Sequence, residues 1–387
     1  MARITREGIC KQRAAAAQPR ARVCMPTWRQ FLNTASRCSL YEAHDVFAGV
    51  DDVDLLPLKP SVLFQRREFW QRKLLWRDYT KQLAYVNPGL QRIRLKQDYE
   101  LLVVMCQQPH ELLYLNAVKG WRERCRVSVC WLDEIWVEQI PLYRYWLHAL
   151  NQFDHIVVGM SDGARALSEA LGRPCHYLPF AVDVLRFNPH PTPPDRVIDV
   201  LSIGRRREGI HRALLELART QEIFYVHDTM MDAGNMRLKD VREHRDLFAN
   251  MIKRSRCFMV APAKVDDFLE TRGQVEPGYR YLEGAAAGAV LIGETANCEA
   301  FRTFFDWPDV VIPVQPDGDD VCDIVRSLGA QPELLRSIGE RNAASVARRH
   351  DWTHRWQRIL EFAGMCPTSA LDDRAAQLEV LANAVHV

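Results

Sequence analysis

The stretch that decides the fold is Gly273-Gln-Val-Glu-Pro-Gly-Tyr-Arg-Tyr-Leu-Glu-Gly-Ala-Ala-Ala-Gly-Ala-Val-Leu-Ile-Gly293. It reads as a turn, a helix over Gly278 to Gly288 and a continuous apolar strand over Ala289 to Gly293. Pro277 suits the first position of a helix, with Glu276 before it, because a proline there sacrifices no intrahelical hydrogen bond. The free N–H groups around Gly278, Tyr279 and Arg280 then point past the sheet edge toward an anion, and a pyrophosphate fits there. Glu283 lies five residues past Gly278, at a depth where a carboxylate can take two hydrogen bonds from vicinal ribose hydroxyls. The small run Gly284 to Gly288 lets the helix approach the next strand closely. Taken alone, a helical glutamate is more often solvated, and an Ala/Gly run more often marks tight packing.

The same alternation extends in both directions. Upstream, Ile198 to Ile203, Ile223 to Val226 and Cys257 to Ala261 read as strands, separated by helices over Ile210 to Thr220 and Asp240 to Arg254; Val310 to Val314 is a last strand. Before them, Asn188 to Asp195 holds four prolines in eight residues, a stiff connector that is neither helix nor central strand. Further upstream, strands over Tyr99 to Cys106, Val127 to Leu132, His155 to Gly159 and His176 to Leu178 alternate with helices over Glu111 to Arg124, Pro141 to Asn151 and Gly163 to Gly172. Near-continuous apolar strands between helices of this length imply parallel sheets covered on both faces. The fold class is therefore α/β, with two doubly wound Rossmann-like domains facing across a cleft. The divisions read as a disordered basic head over 1–36, a first Rossmann-like domain over 37–190, a second over 197–348, and a terminal helix and tail over 349–387. Phe64 to Tyr85 is aromatic-rich and basic with helical spacing.

Composition agrees with a soluble two-domain chain. Among 387 residues, 48% are hydrophobic and 26% charged, and the formal charge is +2. Residues 1 to 24 carry Arg3, Arg6, Lys11, Arg13, Arg20 and Arg22 against Glu7 alone, so the body is slightly acidic. That head reads as a tail, or as a start placed too early with Met25 as the alternative, rather than a targeting peptide. None of the eleven cysteines forms a C-x-x-C pair, so free thiols in a reducing cytoplasm are expected. No run reaches the ~20 apolar residues that span a bilayer, which leaves at most peripheral membrane association. Neither Arg205 to Arg207 nor Lys253 to Arg256 has interleaved aromatics, so nucleic acid is excluded as a partner.

Ligands of open α/β sheets bind at the carboxyl ends of the strands, and several residues fall there. Gly204 ends a strand and is followed by Arg205, Arg206 and Arg207, whose forks suit phosphate oxygens. In the first half, His110 and Glu111 follow one strand and Asp133 and Glu134 another, as candidates for acceptor binding or proton transfer; loop and cap roles are the plainer alternative. Asp52-Val-Asp54 and Asp317-Gly-Asp319 are weak metal candidates, and none is adopted. Of the ten tryptophans, Trp121 and Trp136 are the two to test as sugar platforms.

Together these motifs resemble the nucleotide-sugar-dependent glycosyltransferases of the GT-B fold, in particular the bacterial family-four-like and CgeB-like enzymes. The resemblance rests on Leu178-Pro-Phe-Ala-Val-Asp183 before the proline-rich linker, Ile203-Gly-Arg205, Arg280-Tyr-Leu-Glu-Gly-Ala-Ala-Ala-Gly288 and His350-Asp-Trp352, and covers about residues 155 to 362. It implies that 37–190 is the acceptor domain and 197–348 the donor domain, that Glu283 holds the donor ribose, that Arg205 and the backbone of Gly278, Tyr279 and Arg280 hold the diphosphate, and that the last helix, within 349–387, crosses back to the first domain. It also implies a nucleotide-sugar donor without a cofactor or metal and a retaining course. Two departures stand out. The family's first glutamate falls on Val275, leaving Glu276 one position off, and its lysine is replaced by the Ile210-His211 region, so that Arg206, Arg207, Arg280 or His211 supplies the charge. The catalytic candidates are accordingly His110, Glu276 and Arg206. The acceptor is a glycan, a lipid-linked glycan, a protein or a metabolite. The alternatives are a non-catalytic nucleotide-sugar-binding or coat-assembly protein, and an epimerase on the same fold; a dehydrogenase is weakest, because no G-x-G-x-x-G follows a strand.

Overall fold

A computed structural model describes residues 21–77, 81–229 and 235–384. Among the described residues, thirteen strands form two parallel sheets and a small third one. In chain order they are β1 (Val23–Thr27), β2 (Val53–Pro57), β3 (Ile93–Arg94), β4 (Tyr99–Cys106), β5 (Val118–Lys119), β6 (Cys125–Leu132), β7 (His155–Val158), β8 (His176–Tyr177), β9 (Ile198–Ser202), β10 (Tyr225–His227), β11 (Ser255–Val260), β12 (Val290–Gly293) and β13 (Ile312–Pro313). The first sheet has the order β2-β1-β4-β6-β7-β8, the second β10-β9-β11-β12-β13, and β3 pairs with β5. Every pairing between these strands is parallel. Strand order reverses between β1 and β4 and again between β9 and β11. A crevice opens at the carboxyl ends of strands at such a switch point, because the loops there leave in opposite directions.

The amino-terminal boundary needs correction. Residues 1–20 lie outside the described residues, but the head does not extend to 36. Val23, Cys24 and Met25 are fully buried in β1, which pairs with β2 on one side and β4 on the other. Arg22, counted with the basic tail, is bound by Asp51 through two hydrogen bonds of 2.6 Å. Net positive charge concealed a buried strand, and a chain starting at Met25 would lose part of it. The segment Glu111 to Arg124 also departs from a single helix: it forms a 3-10 helix over Pro109–Ala117, strand β5 and a short helix over Trp121–Arg124.

Near its carboxyl end, before a last helix over Ser369–Asn383, the chain returns to the first domain. The helix Trp352–Ala363 packs on the helix Cys38–Val50, where Trp356 stacks on Phe47 with ring centroids 4.5 Å apart. Trp352 meets Trp131 of β6, and the Trp356 indole N–H donates to Asp51 at 2.9 Å. One continuous apolar cluster therefore runs from Phe47 and Trp131 through Trp352 to Phe248, Tyr281 and Leu282 of the second domain. A core shared in this way joins the two sheets more firmly than a flexible linker alone.

Candidate functional site

Three of the residues expected to bind a donor, Gly204, Arg280 and Glu283, come together where the order of the second sheet reverses. Gly204, just past β9, takes φ +96°, a conformation that favours glycine. Its N–H donates to Asp228 at 2.5 Å. A Cβ on Gly204 would stand 3.6 Å from Arg280 Nε, so the Arg280 guanidinium lies directly against this turn. Arg280 Nε also donates to the Ile203 carbonyl at 3.1 Å, and its Nη1 donates to Glu283 Oε2 at 2.5 Å. Both residues sit on the helix Tyr279–Ala286, which Gly278 precedes in extended conformation without a side-chain cap. Pro277 is thus just outside the helix rather than its first residue. The small run does set close packing: a Cβ on Gly284 would stand 2.5 Å from Leu291 and 2.6 Å from Phe258.

Glu283 is 1% exposed and paired with two arginines. Its Oε1 accepts from Arg245 Nη1, a residue of the helix Val241–Lys253. The same arginine donates to Glu42 Oε2 of the first domain at 2.7 Å. Glu42 in turn accepts from the Asp183 N–H and the Trp352 indole. Despite burial, Arg280 and Arg245 hold the Glu283 carboxyl below its ordinary range. Arg245 Nη2 is buried with no hydrogen-bond partner, so a donor stands unused beside Glu283. The sequence reading missed Arg245, whose signal is faint: one arginine on the inward face of an amphipathic helix.

The other arginines of the motif are spread among carboxylates. Arg205 pairs with Asp266, Arg206 donates to the side chain and backbone carbonyl of Asp228 at 2.9 Å each, and Arg207 pairs with Glu294 at 2.6 Å. Only Arg280 of the four lies on the Gly204 turn and Glu283 together.

The facing wall comes from the first sheet. Asp133, at the end of β6, accepts from Tyr279 Oη at 2.7 Å across the cleft. Burial without a cation pushes its carboxyl from 3.8 up to about 7. Glu134 pairs across the cleft with Lys264, whose ammonium lies 5.4 Å from the centre of the Trp136 ring. The Val137 N–H donates to Gln274 at 2.9 Å. Glu276 accepts from Gln274 at 2.7 Å, and burial raises its carboxyl to about 7.

Two other acceptor-side candidates have structural surroundings. Glu111 is fully buried and accepts from the Trp28 indole, the Gln107 N–H and both Arg37 Nε and Nη2. Its lone pairs are committed to fixing the turn after β4, which corrects its assignment to acceptor binding. His110 is buried with Nδ1 unpartnered, and desolvation beside Arg72 and Arg37 holds it neutral, well below its ordinary pKa. Among the described residues, no hydrogen bond or ion pair joins His110, Glu276 and Arg206. Trp121, 8% exposed and stacked on Phe153, and Trp136, 1% exposed, are core residues rather than sugar platforms. Among the described residues, no group of three metal-ligating side chains converges, and no helix is long and apolar enough to cross a membrane.

This architecture is shared with known proteins. An alpha-glucosyltransferase in complex with UDP and a 13-mer DNA containing a central A:G mismatch has the same fold, with a TM-score of 0.57 at 11% identity over 88% of this chain and 99% of that one. An alpha-glucosyltransferase in complex with UDP-glucose and DNA containing an abasic site gives 0.53 at 12% identity, and one in complex with UDP gives 0.54 at 10%, with the same coverage. The fold is that of the GT-B glycosyltransferases, as the resemblance implies. Residues 207–361 match a family described as glycosyl transferase-like, so the second half of the chain carries a glycosyltransferase-like domain in sequence as well as in shape. No curated protein matches the chain in sequence.

The exclusion of nucleic acid does not stand, because proteins of this fold occur in complex with DNA. Net charge averages over all faces and the exclusion considered two short basic runs. The helix Phe64–Trp76 interleaves Arg66, Arg67 and Lys73 with exposed Phe69, Trp70 and Trp76.

Proposed function

We propose that the protein transfers a glycosyl group from a nucleoside diphosphate sugar, held by the second domain, to an acceptor hydroxyl presented by the first. The observation that carries this reading is the cradle of Gly204, Arg280 and Glu283 facing Asp133 across the cleft. Arg280 has a side chain 36% exposed, while its partner Glu283 is 1% exposed. Arg280 can therefore swing to the diphosphate and free Glu283 Oε2 for the ribose hydroxyls, while Arg245 keeps the carboxylate charged. The UDP and UDP-glucose of the structural neighbours support a UDP-sugar as the first donor to test. The departing diphosphate is stabilised by Arg280, Arg206 and Lys264, so turnover persists in EDTA.

The course follows from who takes the acceptor proton. In a retaining front-face transfer the donor phosphate takes it, and Asp133 only orients the acceptor. One observation favours a second course: Asp133, with its carboxyl at about 7, is suited to act as general base in an inverting transfer. Glu283→Gln tests the donor site. Calorimetric titration with UDP should show affinity reduced about tenfold or more, the scale of a lost hydrogen bond to a charged group; unchanged affinity rejects the assignment. The product anomer, read by NMR, decides the course.

A further inference from the structure

The helix Phe64–Trp76 turns an unusual face outward. Phe64, Gln71 and Leu75 are its buried residues. They anchor it to the acceptor wall: Phe64 meets Tyr114 edge-on at 5.9 Å, and Gln71 Nε2 donates to the Leu83 and Val86 carbonyls. At 100° per residue, Arg66, Lys73 and Arg77 fall on one outward stripe. Phe69 and Trp76 lie along one side of it, with Trp70 and Leu74 along the other. Phe69, Trp70 and Trp76 are 56%, 50% and 58% exposed. The Lys73 ammonium stands 5.6 Å from the Phe69 ring centre and 5.3 Å from that of Trp70. Among the described residues, no carboxylate pairs with Arg66, Arg67, Lys73 or Arg77. The helix's one acidic residue, Glu68, accepts from Arg72 and from Tyr114. Beside Trp70 a cavity of about 520 Å³ opens between Arg66, Arg67, Leu83 and Val86.

The distribution of these groups selects the partner. A helix lying in a membrane surface gathers its aromatic and aliphatic residues on one stripe and keeps its cations at the margin. Here the cations run between the aromatics, so sinking the rings into lipid would drag three charges with them. A single strand of nucleic acid has the complementary pattern, with a charged backbone and flat bases on either side. Arginine and lysine take the phosphates, and exposed aromatic rings stack the bases with little regard to sequence. The location is also consistent, because Phe64 and Glu68 contact Tyr114 of the 3-10 helix that follows β4, at the carboxyl edge of the first sheet.

We infer that the outward face of Phe64–Trp76 binds single-stranded nucleic acid, with phosphates on Arg66, Lys73 and Arg77 and unpaired bases on Phe69 and Trp70. The inference rests on the reading that the first domain presents the acceptor, and it names the class of that acceptor. Fluorescence anisotropy with a labelled 20-nucleotide DNA strand tests it on the full chain. Binding at low salt, weakening steeply as salt rises, is expected. Arg66→Glu with Lys73→Glu, and separately Phe69→Ala with Trp70→Ala, should each weaken binding about tenfold or more. All four side chains lie on the outward face of the helix, so thermal melting and UDP affinity should stay at wild-type values. Absence of binding by the wild type, or binding indifferent to both variants, overturns the inference while leaving the donor reading to its own UDP titration. Sedimentation with phosphatidylserine vesicles that is lost in these variants, with no oligonucleotide binding, assigns the face to a membrane and equally overturns it.

Discussion

The two walls of the cleft each bury a carboxylate, and they treat it in opposite ways. Glu283 on the donor wall is enclosed by Arg245 and Arg280 and held charged. Asp133 on the acceptor wall has a neutral phenol as its partner and is raised to about 7. Desolvation acts on both; the cations decide the outcome. A carboxylate fixed as an anion is suited to binding neutral hydroxyls at any physiological pH, whereas one poised near neutrality can accept and release a proton. On the proposed reading Glu283 is thus suited to recognition, and Asp133, together with Glu276 of the second domain, to proton transfer or to sensing pH.

The strongest way to break the contrast is to remove Arg245. It bridges Glu42 of one domain and Glu283 of the other, and both carboxylates are buried. Arg245→Ala strips one cation from each of two buried carboxylates, leaving Glu283 with Arg280 and Glu42 with Arg186 at 3.5 Å. Breaking a buried pair on this pattern costs about 3–5 kcal/mol, which urea denaturation should register as a lower midpoint. Donor affinity should fall as well, since Glu283 would keep only one of the two arginines that hold it as an anion. A variant as stable as the wild type would show that the bridge does not join the domains.

Which parts of this contrast are legible in the sequence follows from the range of the interactions. The donor helix is local: Gly278, the Ala/Gly run and the following strand lie within one short segment, and the close approach of Gly284 to Leu291 spans a single turn. The parallel strands could be read for a similar reason, because burial on both faces leaves continuous apolar runs such as Tyr99–Cys106. What could not be read depends on distant partners. Glu111 looks like a loop residue until Trp28 and Arg37, 83 and 74 positions away, fold onto it. The opening strand Val23–Thr27 follows a basic tail whose charge conceals it. Arg245 gains its meaning only when the first domain supplies Glu42, 203 positions away. The acceptor wall is assembled from such contacts.

A smaller effect sharpens the contrast through pH. The folded-state carboxyl of Asp133 titrates at about 7 against an ordinary 3.8, and Glu276 at about 7 against 4.5. The folded protein therefore holds protons that the unfolded chain has released between about pH 4 and pH 7. Stability from these two groups is fully present below the lower values and is lost as pH rises through 7. Melting temperature should decline across that window, and Asp133→Asn with Glu276→Gln should flatten the decline. Glu283→Gln should not flatten it, because its partners lower that carboxyl. An unchanged slope in the double variant would mean that the two carboxyls are not the protons concerned.

The smallest expected change is that of Tyr279→Phe. The ring stays in place through its stacking on Phe180, with centroids 4.2 Å apart, so only the hydroxyl leaves. Loss of its hydrogen bond to Asp133 should cost about 1 kcal/mol. The informative readout is the titration of Asp133. The phenol donates to the ionised carboxylate and so favours it, opposing burial; without the phenol, the midpoint must move higher. A pH profile of melting whose steep region shifts upward by a measurable fraction of a unit would show that the acceptor wall is tuned by a side chain from the donor wall. A profile that stays put would mean that solvent or a neighbouring group stabilises Asp133 instead. In that case the contrast between the walls would rest on burial alone.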